Sequence, residues 1–371
     1  MTSNLFMKKI IPIFLAFSFL TSCANLENNE ELQKKLKPIW SEYFKEDFND
    51  SKAINVFVVT NRKAKNNAFS CADDGFGVDV DSKLQSGICK INVPKNHNIG
   101  EITFAKDARQ SSDNYFKILE TKTLQESELI DAIKKTKRTP LVFVHGFNVR
   151  YQEAVLRASQ IAYDLKYQGP IILFTWPAGA KDGFLEDAML NKTYENNFSN
   201  AKASIDFFKN FLLKLQGENI KINLLVHSMG HQVVLPALRK LNEEKPKKVF
   251  INELFLNAPD FDIIEFRAIS KNIKSISNHV TLYCSNNDKA MSVSKTFNKN
   301  ERLGACIALE DMDAVNVSLI DDPSLGLGHG YYSSRAVLND VFQTLLGIDV
   351  KHRLSVAKSD IFNAEKFSLR K

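Results

Sequence analysis

The chain predicts a mostly parallel α/β sheet with helices on both faces and antiparallel strands on its N-terminal side. Three observations predict it. Five apolar runs of strand length recur through the middle of the chain: Leu141 to Val144, Ile171 to Phe174, Ile222 to Val226, Val249 to Leu256 and Val280 to Tyr283. Most of the intervals between them carry helical spacing, as in Ala154, Val155, Ala158, Ile161, Ala162 and Leu165, or Ile205, Phe208, Phe211, Leu212 and Leu215. Uninterrupted apolar strands alternating with amphipathic helices are what a parallel sheet buried on both faces requires. Third, the run Ile222 to Val226 stops at His227-Ser228-Met229-Gly230, and helical spacing resumes at Val233, Val234, Ala237, Leu238 and Leu241. That pattern reads as strand, sharp turn, helix.

In chain order, the first element is a targeting segment. Lys8 and Lys9 precede an apolar stretch from Ile10 to Leu20, too short to span a membrane and of the length of a signal-peptide core. It ends in Leu20-Thr21-Ser22-Cys23, which resembles the lipobox of bacterial lipoproteins, where the cysteine is lipidated and becomes the first mature residue. The simpler alternative is a plain secretory signal with an incidental cysteine. Each buried acyl methylene contributes roughly 0.8 kcal/mol, so several chains on Cys23 would hold the protein on a membrane of the bacterial cell envelope. The expected organisation is a signal peptide over 1–22, a tether with an N-terminal helix over 23–53, an α/β domain over 54–350 and a C-terminal extension over 351–371.

Within the tether, helical sequence lies around Glu30 to Phe44. Strand-like runs at Ile54 to Thr60 and Ile88 to Val93, separated by a loop rich in Gly, Asp and Ser, open the sheet. Glu126 to Lys135 has helical spacing, and Pro140 closes the linker after it. Pro236 falls inside the helix after Ser228 and predicts a kink, because the carbonyl of Gln232 loses its donor.

Composition narrows the function classes. A chain of 371 residues with 44% hydrophobic and 25% charged residues is globular, so disorder is not the default. The net charge of +6 comes largely from scattered lysines such as Lys134, Lys135, Lys245, Lys247 and Lys248, and no aromatic residues interleave with basic ones. Nucleic acid is therefore not an expected partner. Setting Cys23 aside leaves Cys71, Cys89, Cys284 and Cys306. Outside the cytosol an even number invites pairing, and proximity in sequence suggests Cys71 with Cys89 and Cys284 with Cys306. No spacing resembles a metal site, and no organic cofactor is expected.

The turn at Ser228 is where a nucleophilic serine would stand. In an α/β-hydrolase such a turn lifts the serine oxygen above the sheet edge and aims the next N–H, here that of Met229, at a developing oxyanion. Gly230 suits the crowded side of the turn, whereas Val226 stands where the full G-x-S-x-G pattern has glycine. Serine is a weak nucleophile at neutral pH and needs a base and an acid to orient it. Asp288, in Ser285-Asn286-Asn287-Asp288, follows a strand end. His329 lies in the glycine-flanked Gly328-His329-Gly330, and the order Ser228, Asp288, His329 is that of the α/β-hydrolase triad. Asp260 and Asp262 also follow a strand end and compete for the acid role. His97, His279 and His352 lie in polar contexts and read as surface residues, while the turn directs His227 and His231 away from the serine oxygen. His145-Gly146-Phe147 follows the first core strand, where the Phe147 N–H would be the second oxyanion donor, Gly146 lets the loop approach and His145 braces the turn.

Taken together, Phe143-Val144-His145-Gly146-Phe147-Asn148, Phe174-Thr175-Trp176-Pro177-Ala178, His227-Ser228-Met229-Gly230, Ala258-Pro259-Asp260, Tyr283 to Asp288, Arg302-Leu303-Gly304 and Gly328-His329-Gly330-Tyr331 resemble a bacterial α/β-hydrolase family of poorly defined function. Thr60-Asn61-Arg62, Val93-Pro94 and Asn98-Ile99-Gly100 extend the likeness upstream, over about 54 to 345. The resemblance implies the fold and the triad positions, in a family described as esterase- or lipase-like. The segment from Trp176 to Asn200, with Phe184, Leu185, Met189 and Tyr194, is either a lid or pocket wall, with Trp176 as a pocket residue, or a helix packed on the body. The function expected is a membrane-anchored serine hydrolase acting on a small-molecule or lipid ester. The same triad also serves acyltransferases, amidases and thioesterases, and a non-catalytic envelope lipoprotein is the alternative from a different class.

Overall fold

The computed structural model describes residues 34, 36–43, 52–66, 68–105, 107, 109–180, 190–244, 249–306, 312–321, 329–359 and 367–370. The expected signal peptide and Cys23 lie outside the described residues. Met1–Asp47 and Phe48–Lys371 are separate units; in the first, residues 36–43 are helical. Among the described residues no helix is long and apolar enough to cross a membrane.

The second unit is built on one 11-stranded sheet. It opens with β1 (Ala53–Ala64), β2 (Phe76–Asn92) and β3 (Lys117–Leu124), followed by helix α1 (Glu126–Lys135). Then strands and helices alternate: β4 (Leu141–Val144), α2 (Tyr151–Asp164), β5 (Ile171–Thr175), α3 (Leu190–Gly217), β6 (Ile222–His227) and α4 (His231–Glu244). The alternation continues through β7 (Ile251–Asn257), α5 (Ile263–Ile276), β8 (Ser277–Cys284), α6 (Lys289–Asn298), β9 (Asp313–Asn316) and α7 (Arg335–Leu345). Two short strands, β10 (Val356–Lys358) and β11 (Phe367–Leu369), close the chain.

Across the sheet the order is β10-β11-β9-β8-β7-β6-β4-β5-β1-β2-β3. From β1 to β9 every neighbouring pair is parallel. On the N-terminal side the antiparallel strand is β2, which opposes both β1 and β3, while β1 itself runs parallel to β5. Residues 351–371, set apart in sequence as an extension, contribute β10 and β11 to this same sheet, β11 pairing with β9. The domain therefore does not end at 350.

Strands β4, β5 and β6 are buried along their whole length. Val142, Val144, Phe174, Leu224 and Val226 pack in one cluster with Phe208 and Phe211 of α3 and Val234 and Leu238 of α4. Each such side chain contributes roughly 1.5–3 kcal/mol on burial, so these central strands hold the register of the sheet. Helix α4 runs through Pro236 as one element, and the Gln232 side chain donates to the Asp260 carbonyl at 2.7 Å. Disulfides join Cys71 to Cys89 and Cys284 to Cys306.

Register decides where the chemistry can be. Val144 pairs with Val226, His227 with Asn257, Asn257 with Tyr283, and Cys284 with Asn316. The loops after β4, β6, β7 and β8 thus leave one carboxyl edge side by side, the position where open α/β sheets collect functional groups.

Candidate active site

The turn after β6 is tight enough to strain the chain. Ser228 has φ +52°, in the left-handed region, which costs a residue with a Cβ about 1–3 kcal/mol. Its surroundings hold it there. A Cβ on Gly146 would fall 2.6 Å from the Ser228 Cβ, and one on Gly230 would fall 2.5 Å from the His145 carbonyl oxygen. Only glycine at both places lets the β4 loop and the β6 turn touch. His231, fully buried, hydrogen-bonds the Ser228 carbonyl at 2.7 Å through Nδ1. Val226, the departure from the glycine pattern, is fully buried in the strand between Val144 and Leu256.

His329 bridges the serine and an aspartate. Its Nε2 lies 2.6 Å from Ser228 Oγ, and its Nδ1 lies 2.7 Å from Asp288 Oδ2. Since the carboxylate can only accept, Nδ1–H donates to Asp288 and Nε2 is left to accept from the serine hydroxyl. Asp288 is held in turn by α6: its Oδ1 accepts from the backbone of Ala290 at 3.0 Å and Met291 at 3.2 Å, as the N-cap of that helix. The carbonyl of His329 accepts from His227 Nε2 at 3.1 Å, and the His227 ring stacks on Tyr332 with centroids 3.8 Å apart. Burial, reinforced by the neighbouring His329, pushes His227 well below the usual histidine range, so it is a neutral support.

The two competing carboxylates are engaged elsewhere. Asp260 accepts from Arg302 Nε at 2.7 Å and from the Tyr194 hydroxyl at 2.9 Å, and also binds the Ser294 hydroxyl. Asp262 caps α5 through the amides of Ile264 and Glu265. The disulfide Cys284–Cys306 fastens the end of β8, four residues before Asp288, to the loop that carries Arg302.

In the loop after β4, His145 makes bonds with both ring nitrogens. Nδ1 is 3.0 Å from the Gly146 carbonyl and Nε2 is 2.8 Å from Thr175 Oγ1. Burial, with the nearby Arg62 cation, pushes its pKa down to about 3. Phe147 follows Gly146 and Met229 follows Ser228, so the two candidate donor amides come from segments in contact with each other.

Trp176 is not a pocket residue. It is fully buried, stacks on His145 at 5.4 Å and donates from Nε1 to the His145 carbonyl at 2.9 Å, so it is a wall behind the loop. From Leu190 onward the segment after it is helix α3, with Tyr194 turned to Asp260; Phe184, Leu185 and Met189 lie outside the described residues. A cavity of about 410 Å³, lined in part by Ile102, Phe104, Val149, Leu156 and Tyr332, borders His145. A larger one of about 480 Å³ between α1 and β2–β3 touches none of Ser228, Asp288 and His329.

One histidine read as a surface residue is not: His97 has a nearly buried side chain bonded to Asp164 at 2.6 Å. His279, in β8, keeps about a third of its side chain exposed, as a surface residue does, but is held between Glu253 at 2.7 Å and Asp313 at 2.8 Å. Arg62, Thr175, Tyr332 and the supporting contact of His227 were not assigned from sequence. The signal available was the blocks Thr60-Asn61-Arg62 and Phe174-Thr175-Trp176, which carry polar residues at the ends of apolar strands.

A family model described as alpha/beta hydrolase of unknown function (DUF900) matches residues 121–348. No curated protein matches the chain.

Proposed function

The chain belongs to this alpha/beta hydrolase family of unknown function, and from that membership and the geometry at Ser228 we propose that it is a serine hydrolase cleaving a carboxylic ester through an acyl-enzyme intermediate. The observation that carries the reading is the placement of His329 at hydrogen-bond distance from both Ser228 Oγ and Asp288 Oδ2, on three different loops of one sheet edge.

In this reading Ser228 Oγ attacks the acyl carbon while His329 Nε2 takes its proton. Asp288 keeps Nδ1–H pointed at itself and stabilises the imidazolium. The carbonyl oxygen becomes an oxyanion against the Phe147 and Met229 amides. Collapse breaks the bond to the leaving alcohol, which receives the proton from His329. A water then repeats the sequence on the acyl-enzyme, releasing the acid and restoring the serine. Preorganised donors of this kind supply much of the rate enhancement in acyl transfer.

The location proposed is a membrane of the bacterial cell envelope, with lipidated Cys23 as the anchor, on the strength of Lys8 to Cys23 in sequence. The two disulfides suit an oxidising compartment. Labelling with a fluorophosphonate, followed by peptide mapping, tests the chemistry. A single adduct on Ser228 is expected, and a folded protein that does not react would contradict the proposal.

A further inference from the structure

Arg62, near the end of β1, is fully buried, and among the described residues its side-chain partners are carbonyls, a hydroxyl and an imidazole, with no carboxylate. Burying an unpaired cation is costly, so its bonds should report what it is there to hold. They run to three separate segments around the oxyanion loop. Nη1 donates to the carbonyls of Gly77 at 3.1 Å and Ala178 at 2.8 Å, and Nη2 to the carbonyl of Val149 at 2.8 Å. Nε donates to Thr175 Oγ1 at 2.9 Å.

The hydrogen inventory then fixes a tautomer. Thr175 Oγ1 already accepts from Arg62 Nε, so its own hydrogen is available to His145 Nε2 at 2.8 Å. Arg62 Nη2, which has no lone pair to offer, also faces that nitrogen at 3.4 Å. The Gly146 carbonyl can only accept, so Nδ1 carries the hydrogen and donates to it at 3.0 Å, and in the neutral ring Nε2 is left unprotonated to accept from Thr175 and Arg62. The Gly146 carbonyl and the Phe147 N–H belong to one planar trans peptide and point in opposite directions. Drawing the carbonyl back onto His145 therefore turns the Phe147 N–H away from the imidazole, in a peptide already pressed against Ser228.

We propose that Arg62 is a positioning residue for the oxyanion hole, acting through Thr175 and His145 to fix the orientation of the Gly146–Phe147 peptide. The proposal rests on the serine-hydrolase reading, and it assigns to Arg62 an effect on the transition state rather than on substrate binding. Removing a whole oxyanion donor costs roughly 10²–10³ in kcat, which bounds the effect of misaligning one.

Thr175→Val removes the relay hydroxyl at nearly constant shape and leaves Arg62 in place. On a p-nitrophenyl ester it should lower kcat at least tenfold with KM within twofold, and weaken binding of a trifluoromethyl ketone transition-state analogue by a similar factor. Thr175→Ser should recover most of the loss. Nitrogen-15 NMR of the histidine side chains in the wild-type protein needs no variant, and should find His145 neutral and protonated at Nδ1 at pH 7. Unchanged kcat in Thr175→Val, or a His145 protonated at Nε2, would overturn the proposal while leaving the hydrolase reading intact. A wild-type protein whose Ser228 is inert to fluorophosphonate would overturn that reading and this proposal with it.

Discussion

Asp288 holds His329 with one carboxylate oxygen and its own helix with the other. Oδ2 accepts from the imidazole at 2.7 Å, while Oδ1 caps α6. The two tasks can be separated by substitution. Asn retains an oxygen for the cap but can present an amide to His329, favouring the wrong tautomer. Asp288→Asn should therefore lower kcat by roughly 10³–10⁴ with little change in Tm. Asp288→Ala should lose activity as well and be about 1 kcal/mol less stable, measured by urea denaturation.

Gly230 tests the contact between the two loops. Its missing Cβ would meet the His145 carbonyl at 2.5 Å and the Val144 carbonyl at 3.2 Å, both backbone and unable to swing aside. Gly230→Ala should cost about 1–3 kcal/mol in stability and lower kcat by displacing the Ser228 turn. Equal Tm and equal kcat would show that the turn does not depend on this approach.

His279 gives a pH dependence far from Ser228. Burial alone would depress the imidazole, but hydrogen bonds and charge from Asp313 and Glu253 together outweigh it and push the pKa up from 6.5 to about 9. A folded pKa above the unfolded one means the protonated form is favoured by folding. That stability is fully present below about pH 6.5 and is lost as pH rises through about 9. Tm should fall between pH 6.5 and 9 in the wild-type protein, and His279→Gln should flatten that fall.

The Cys284–Cys306 bridge closes 22 residues around the loop that carries Asp288. The chain-entropy account gives such a loop about 3 kcal/mol. A Cys284→Ser, Cys306→Ser double variant should lose about that much in equilibrium denaturation. It should also show lower kcat, because Asp288 follows Cys284 by four residues.

How much of this was legible in the sequence depends on whether the determinant was local. The core strands β4 to β8 were readable because each carries an apolar run, and the meeting of Ser228, Asp288 and His329 because each stands just past a strand end or in a glycine-rich loop. Strand β3, Lys-Ile-Leu-Glu-Thr-Lys-Thr-Leu, was missed because it lies at the sheet edge with mostly exposed side chains. Strands β9, β10 and β11 have three or four residues each and carry too little pattern to mark them. Trp176 looked like a pocket residue because aromatic residues follow it, and its real partner, His145, is 31 positions upstream. The same holds for His279 and for Arg62, whose partners His145, Val149, Thr175 and Ala178 lie more than eighty residues away. Long-range pairing of polar groups has no period, so a single sequence does not reveal it.

The central claim, that Ser228 is an acyl-accepting nucleophile, is tested most directly by stopped-flow hydrolysis of p-nitrophenyl esters of increasing chain length, with the wild-type protein beside Ser228→Ala. The account predicts a burst of nitrophenolate equal to the active protein, followed by steady turnover, with both phases absent in the variant. Turnover that persists in folded Ser228→Ala, or no hydrolysis of any ester by wild-type protein, would contradict it.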